Sequence, residues 1–88
     1  MTLPMALNTM AAMVDTQKDC LNIILDTTGN LIVKILTVHG QFIKTIKETL
    51  QNSEVAVSVS LADLSSGTYV ANVFKDNHFL RSVHFNKN

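Results

Sequence analysis

The sequence has little of what many catalytic and disulfide-stapled scaffolds require. It contains one cysteine, one proline, three glycines and no tryptophan in 88 residues. A single cysteine excludes an intrachain disulfide, and three isolated glycines exclude a glycine-rich phosphate-binding loop. Seven basic and seven acidic residues give no net charge, which argues against a nucleic-acid-binding protein and against a polybasic membrane anchor. No apolar run approaches the ~20 residues that a membrane-spanning helix needs.

What remains is the composition of one folded domain. Hydrophobic residues make up 47% and charged residues 16% of the chain, which is too apolar for a disordered segment. The segment Met1–Val14 lacks the Lys/Arg region that opens a secretory signal. The protein is therefore intracellular, or the chain is the tail of a longer protein whose signal lies elsewhere. We predict a leader or first strand over residues 1–14 and a β-sandwich domain over residues 15–88; Met5–Val14 is open to strand, short helix or disorder.

Turn-forming clusters recur along the rest of the chain and separate β-rich runs. A spacing of roughly 8–12 residues per unit is typical of an all-β sandwich or barrel. The clearest strand alternates Val55, Val57, Val59 and Leu61 with small residues, and six strands are predicted in all. The last of them is expected to place Phe79, Val83 and Phe85 on one face and Leu80, Ser82 and His84 on the other. The predicted core consists of Leu21, Ile23, Val33, Ile35, Ile43, Val57, Val59, Leu64, Tyr69, Ala71, Val73 and Val83.

Residues with catalytic or metal-binding chemistry are scattered. A four-ligand zinc site could be assembled only from Cys20, His39, His78 and His84, whose spacings match no compact ligand pair. Cys20 is a candidate nucleophile only if a histidine lies near it in space, and a small cysteine at a strand edge is the simpler interpretation. Ser65 and Ser66 precede a glycine but form no nucleophile elbow. We predict no enzyme activity, no metal and no cofactor.

Three segments resemble one protein family. Leu61-Ala62-Asp63-Leu64-Ser65-Ser66-Gly67-Thr68-Tyr69-Val70 resembles a motif in which a strand ends, a leucine plugs the core and a glycine turn starts a tyrosine-bearing strand. The run from Leu31 to Ile43 resembles the strand–glycine–strand hairpin of that family, with Gly40 as its glycine. Lys18–Ile23 resembles the first core strand, and Lys87 is a basic residue one position from the end. The order is similar to that of the C-terminal sorting domains of the type IX secretion system of Bacteroidetes.

The resemblance implies both a fold and a function. It implies an immunoglobulin-like antiparallel β-sandwich of about six to seven strands, with Gly40, Leu64, Gly67, Tyr69 and Lys87 as the motif residues. It also implies a domain at the C-terminus of a secreted cargo protein, in the periplasm in transit to the outer-membrane surface or the extracellular space. The implied partners are the outer-membrane translocon and a surface sortase. The alternative is a generic immunoglobulin-like accessory or spacer domain of a secreted hydrolase or adhesin.

The distribution of apolar residues along the strands also predicts that the domain associates with itself. A two-layer sandwich has one interior, yet several strands are apolar on both faces. A sandwich also has edge strands with unpaired backbone groups, and neither sheet edge is expected to carry proline or dense lysine. The sequence therefore predicts a homodimer, formed by edge-strand pairing or by exchange of the N-terminal segment. The apolar residues expected on the surface are Ile24, Leu36, Phe42, Val70, Phe74 and Leu80.

Overall fold

The computed structural model of the protein describes residues 10–25, 28–51 and 55–88, with the side chains of all of these except residues 10 and 55. Seven strands run through this part of the chain. They are β1 (Met10–Asp15), β2 (Cys20–Leu25), β3 (Gly29–Thr37), β4 (Phe42–Leu50), β5 (Val55–Ser60), β6 (Gly67–Lys75) and β7 (His78–Lys87).

The strands form two antiparallel sheets. One has the order β1-β2-β5 and the other the order β4-β3-β6-β7. The chain changes sheet between β2 and β3, between β4 and β5, and between β5 and β6, so its connections cross between the layers in the Greek-key manner of immunoglobulin-like sandwiches. The predicted all-β immunoglobulin-like sandwich is confirmed, with seven strands.

The described part of the predicted segment Met5–Val14, from Met10 onward, is strand. β1 begins at Met10 and pairs with β2 from Met10 opposite Leu25 to Asp15 opposite Cys20. The rest of the predicted leader, residues 1–9, lies outside the described residues. The turns predicted around residues 26–30 and 51–53 lie partly outside them as well.

The core is formed by alternate residues of the strands. Because successive side chains of a strand point to opposite faces, each strand contributes every second residue to the space between the sheets. Val57 and Val59 are buried in β5, while the alternate residues Ala56, Ser58 and Ser60 are exposed. The buried apolar side chains are Leu21, Ile23, Leu25, Leu31, Val33, Ile35, Leu50, Val57, Val59, Leu61, Leu64, Tyr69, Ala71, Val73 and Phe85. Ile43 and Val83, both predicted for the core, are only half-buried against it.

Two irregularities in the four-stranded sheet reverse part of the predicted pattern. Phe42 pairs with Leu36 and Lys44 with Ile35, so Ile43 is an extra residue in β4. Phe79 pairs with Phe74 and Arg81 with Val73, so Leu80 is an extra residue in β7.

An extra residue of this kind changes the face to which the side chains beyond it point. Phe79 is therefore exposed, and its ring contacts Phe74 at a centroid distance of 5.6 Å. Leu80 packs against the core. The prediction that Phe79 shares a face with Val83 and Phe85, with Leu80 on the opposite face, is wrong for this reason.

The remaining predicted surface residues are divided between the two sheets. Ile24 is exposed on the three-stranded sheet, whereas Phe42 is exposed on the four-stranded sheet. Leu36, which lies between Phe42 and Val70 in the strand register, is half-buried, as is Val70. Phe74 is half-buried as well. These side chains therefore form no single patch common to both sheets.

The two ends of the sandwich are different. One end contains the β1–β2 turn, the β3–β4 turn, the β5–β6 connection and the last residues of β7; we call it the motif end. The register places Asp15, Cys20 and Ser60 side by side at this end of one sheet. The chain enters β1 at the other end of the sandwich. Any segment that precedes β1 therefore joins the domain away from the motif end.

Candidate functional site

All five predicted motif residues lie at the motif end. Gly40 is in the β3–β4 turn and Leu64 is in the β5–β6 connection. Gly67 and Tyr69 are the first and third residues of β6, and Lys87 is the last residue of β7. Gly67 is directly opposite Lys87 in the strand register. These residues are separated by up to 47 positions in the sequence, and the antiparallel topology brings them to one end of the domain.

The β5–β6 connection is held closely against the core. The amide of Leu64 donates to the carbonyl of Leu61 at 3.0 Å, and both leucine side chains are buried. The hydroxyl of Tyr69 donates to the carbonyl of Ser65 at 2.6 Å. A tyrosine near the start of this strand that bonds to the backbone a few residues upstream is the tyrosine corner of immunoglobulin-like domains. Its ring stacks on Phe85 of β7 at a centroid distance of 5.7 Å, so the connection is joined to the last strand.

Lys87 joins the two sheets. Its ammonium group donates to the carboxylate of Asp19, in the β1–β2 turn, and to the carbonyl of Leu61 at 3.1 Å. The lysine side chain is only 11% exposed. Leu61 in turn donates its amide to the carbonyl of Asp19 at 2.8 Å. We call this set the Lys87 clip; it connects the end of β7, the β1–β2 turn and the end of β5.

A second lysine crosses between the sheets nearby. Lys44 of β4 donates to the carbonyl of Ser60 at 2.7 Å and to the carboxylate of Asp63 at 2.9 Å. The hydrogen bond from Lys44 holds the pKa of Asp63 below its ordinary value, and the backbone amide of Asp63 and the positive charges of Lys44 and Lys87 act in the same direction. Both crossings at this end therefore pair a lysine of the four-stranded sheet with a carboxylate and a carbonyl next to the other sheet.

The β3–β4 turn depends on the backbone of Gly40. Its φ is +89°, a left-handed conformation that is costly for residues with a side chain. The turn is closed by two backbone bonds, from Gly40 to the carbonyl of Thr37 at 2.9 Å and from Thr37 to the carbonyl of Gln41 at 2.8 Å. A Cβ atom at Gly40 would meet no heavy atom within 4 Å, so conformation rather than space explains the glycine. Gly67 also has a positive φ, of +157°.

Sequence reasoning missed three polar members of this end, namely Asp19, Lys44 and Asp63. Asp63 belongs to the segment Leu61–Val70 that resembles the family motif, but nothing in the sequence indicates that it pairs with a lysine. Lys44 interrupts the apolar pattern of β4, which is a weak signal for an inward-facing charge. Its partner lies 19 positions away and that of Lys87 lies 68 positions away, so neither pairing has a local signature.

The candidate zinc ligands do not converge in the described part of the chain. His39 lies in the β3–β4 turn and Cys20 at the start of β2, both at the motif end, whereas His78 lies at the opposite end. Among residues 10–25, 28–51 and 55–88, no three His, Cys, Asp or Glu residues are placed to hold a metal ion.

None of the described residues belongs to a helix that is long and apolar enough to cross a membrane. A cavity of 340 Å³ adjoins the Lys87 clip, with Thr16, Gln17 and Asn86 in its polar lining.

These features define a class of protein. A seven-stranded sandwich with this strand order and a tyrosine corner is a small immunoglobulin-like domain. The sequence then shows which one: residues 17–83 match the family described as the secretion system C-terminal sorting domain. The chain belongs to this family, the C-terminal sorting domains of type IX secretion. No curated protein matches the chain.

Membership of this family indicates the role of the domain and the destination of the protein that carries it. The family is a sorting signal and not a catalytic domain. A protein that carries it is secreted to the cell surface or the extracellular space and is recognised by the secretion machinery. The matched segment contains Gly40, Leu64, Gly67 and Tyr69 and ends before Lys87. Of the residues of the Lys87 clip, Asp19 and Leu61 lie within the matched segment and only Lys87 lies beyond it.

Proposed function

We propose that this domain directs a cargo protein, joined before β1, from the periplasm through the type IX translocon to the outer-membrane surface or the medium. The family match over residues 17–83 carries the proposal, because it covers β2 to β6 and most of β7. In this proposal the translocon docks on the folded domain, and a surface sortase then cleaves upstream of it.

The geometry supports the motif end as the docking surface. The cargo joins at the opposite end of the sandwich, so the motif end stays accessible to the machinery. Its backbone is held by the tyrosine corner, by the Lys87 clip and by the Lys44–Asp63 pair. A surface that is ordered before binding loses little conformational entropy on association. That property suits a signal that must be recognised on many different cargo proteins.

Export of a reporter tests the proposal. Residues 1–88 are fused to the C-terminus of a periplasmic reporter, in a bacterium with a working type IX system and in an isogenic strain without its translocon. We expect the reporter on the surface or in the medium of the first strain only. Retention of a folded, protease-resistant fusion in the periplasm of both strains would support the accessory or spacer domain instead.

Two lysine variants distinguish the motif end from the rest of the surface. Lys87→Met removes the clip, whereas Lys47→Met removes an exposed lysine of β4. We expect lower export for the first and normal export for the second, with both fusions present at equal amounts in the periplasm. Equal export of the two variants would contradict the assignment of docking to the motif end.

A further inference from the structure

The edge strands of the sandwich are protected unequally against pairing with another strand. The edges of the four-stranded sheet, β4 and β7, each contain an irregularity, at Ile43 and at Leu80. β4 also carries Lys44 and Lys47. Bulges, lysines and inward-pointing charges are the features by which natural sheets discourage strand addition. The sequence predicts neither proline nor dense lysine at the sheet edges, and β4 carries two lysines among its nine residues.

The edges of the three-stranded sheet lack these features. β5 reads Val-Ala-Val-Ser-Val-Ser, with no charge and no proline, and its pairing with β2 is regular throughout. β1 is also uncharged before Asp15, but alanine and methionine dominate it. Valine favours extended strands and alanine does not. β5 is consequently the edge best suited to accept another strand.

The contacts at the end of β5 show which of its residues form backbone hydrogen bonds to β2. Leu61 donates to the carbonyl of Asp19, one position beyond the pair formed by Cys20 and Ser60. In an antiparallel ladder, hydrogen-bonded pairs alternate with non-bonded pairs. The residues of β5 that bond to β2 are therefore its three valines.

It follows that the backbone N–H and C=O groups of Ala56, Ser58 and Ser60 point away from the sheet. One of these groups has a partner already: the carbonyl of Ser60 accepts from Lys44 at 2.7 Å. That contact agrees with an outward-pointing Ser60 carbonyl, since Lys44 approaches from outside the three-stranded sheet. Ala56 and Ser58 are left as the central backbone groups of the edge.

We propose that β5 is a homotypic interface, in which it pairs antiparallel with β5 of a second copy of this chain. A second copy is the partner that fits this edge, because a strand in which valines alternate with small residues is complementary to itself after a twofold rotation. Valines then lie beside valines and small residues beside small residues. No charge on the strand opposes the contact. The result is one continuous six-stranded sheet, and this inference does not depend on the sorting function.

The Lys44 contact selects the register. With the twofold axis at Val57, Ala56 of each copy lies opposite Ser58 of the other, and these two pairs exchange four backbone hydrogen bonds in total. In this register Ser60 lies opposite no residue of β5 in the second copy, so β5 does not compete with Lys44 for the Ser60 carbonyl. An axis at Ser58 would instead place Ser60 opposite Ala56 of the second copy and would compete with Lys44 for that carbonyl. The structure therefore favours the axis at Val57.

Sedimentation velocity of residues 1–88, from micromolar to hundreds of micromolar concentration, tests the interface. We expect a concentration-dependent dimer. Ser58→Pro removes an outward N–H and leaves the backbone bonds between β5 and β2 in place, while it also removes the hydrogen bond from the Ser58 hydroxyl to Asn22; proline is tolerated at such edge positions. We expect this variant to remain monomeric, whereas the matched Ser58→Thr, which keeps the N–H group, dimerises normally. Thermal melts verify that both variants are folded.

A charge-swap pair tests the register. Ala56→Lys with Ser58→Lys places like charges opposite each other twice across the axis, and we expect the dimer dissociation constant to rise about tenfold or more. Ala56→Glu with Ser58→Lys makes both contacts attractive and is expected to restore dimerisation. The proposal is overturned by a monomer at the highest concentration, or by a dimer that the double-lysine variant leaves unchanged. Equal weakening by both double variants would overturn the register.

Discussion

The contacts of the Lys87 clip allow the stability of a Lys87 variant to be predicted with a magnitude. Lys87→Met removes the ammonium group while keeping most of the apolar stem that packs between the sheets. The substitution leaves the carboxylate of Asp19 without this partner, and the carbonyl of Leu61 without its bond to lysine. Asp19→Asn removes the negative charge from the other side of the same contact.

The size of the effect follows from burial. Hydrogen bonds to charged groups contribute roughly 1.5–3 kcal/mol. The Lys87 side chain is 11% exposed but that of Asp19 is 38% exposed, so water screens part of the attraction. We therefore expect Lys87→Met to lower the free energy of unfolding by about 2 kcal/mol, of which ~1 kcal/mol is coupling to Asp19. For a domain of this size, 2 kcal/mol corresponds to a fall in Tm of roughly 8–16 °C.

A double-mutant cycle measures the coupling. The wild type, Lys87→Met, Asp19→Asn and the double variant are unfolded with urea, and the coupling is the departure from additivity. Lys47→Met serves as the control for loss of a lysine. A coupling within about 0.3 kcal/mol of zero, which is the usual scatter of independent sites, would refute the reasoning. So would a Lys87→Met variant as stable as the control.

Three further predictions concern the core, a strand connection and the pH dependence. Val59→Asp places an unpaired charge at a side chain that is 2% exposed; it should cost several kcal/mol and abolish cooperative unfolding, and a near-wild-type melt would contradict the assignment of β5. Gly29→Ala should cost at least ~1 kcal/mol in urea unfolding, because φ is +127° and the new Cβ would lie 2.6 Å from a carboxylate oxygen of Asp76; wild-type stability would refute this. The lowered pKa of Asp63 means that its charged form stabilises the fold above the unfolded-state pKa, and that this contribution is lost as the pH falls through the lower folded-state pKa. Asp63→Asn should therefore be less stable than the wild type at pH 7 and equal to it in strong acid, and a deficit that is the same at every pH would exclude the charge as its cause.

The alternation of apolar and small residues predicted much of the core. In β5 and β6 one face of each strand is apolar, and Val57, Val59, Tyr69, Ala71 and Val73 are buried as the pattern indicates. Period-two alternation is reliable where one regular strand has one wet face. The prediction of an immunoglobulin-like sandwich rested on such strands and on the motif around Leu64 and Tyr69.

The pattern failed where the backbone departs from regular pairing. The extra residues Ile43 and Leu80 have no distinctive composition, so the sequence did not reveal that Phe79 points outward. The boundary residues Leu61 and Phe85 were omitted from the predicted core although both are buried. The contacts of Lys87 could not be predicted for another reason, since a single basic residue does not indicate with which carboxylate it pairs. Such pairings arise only after the two sheets have packed.

The distance along the chain between the members of the clip has a consequence for the order of folding. Asp19 and Lys87 are 68 positions apart, so synthesis delivers one partner long before the other. The contacts between β1 and β2 are local in sequence, whereas contacts of high sequence separation must wait for loop closure. A chain that stops before residue 87 lacks the lysine of the clip, and its motif end is held by the tyrosine corner and the Lys44–Asp63 pair. The complete clip therefore forms only in chains that extend to residue 87.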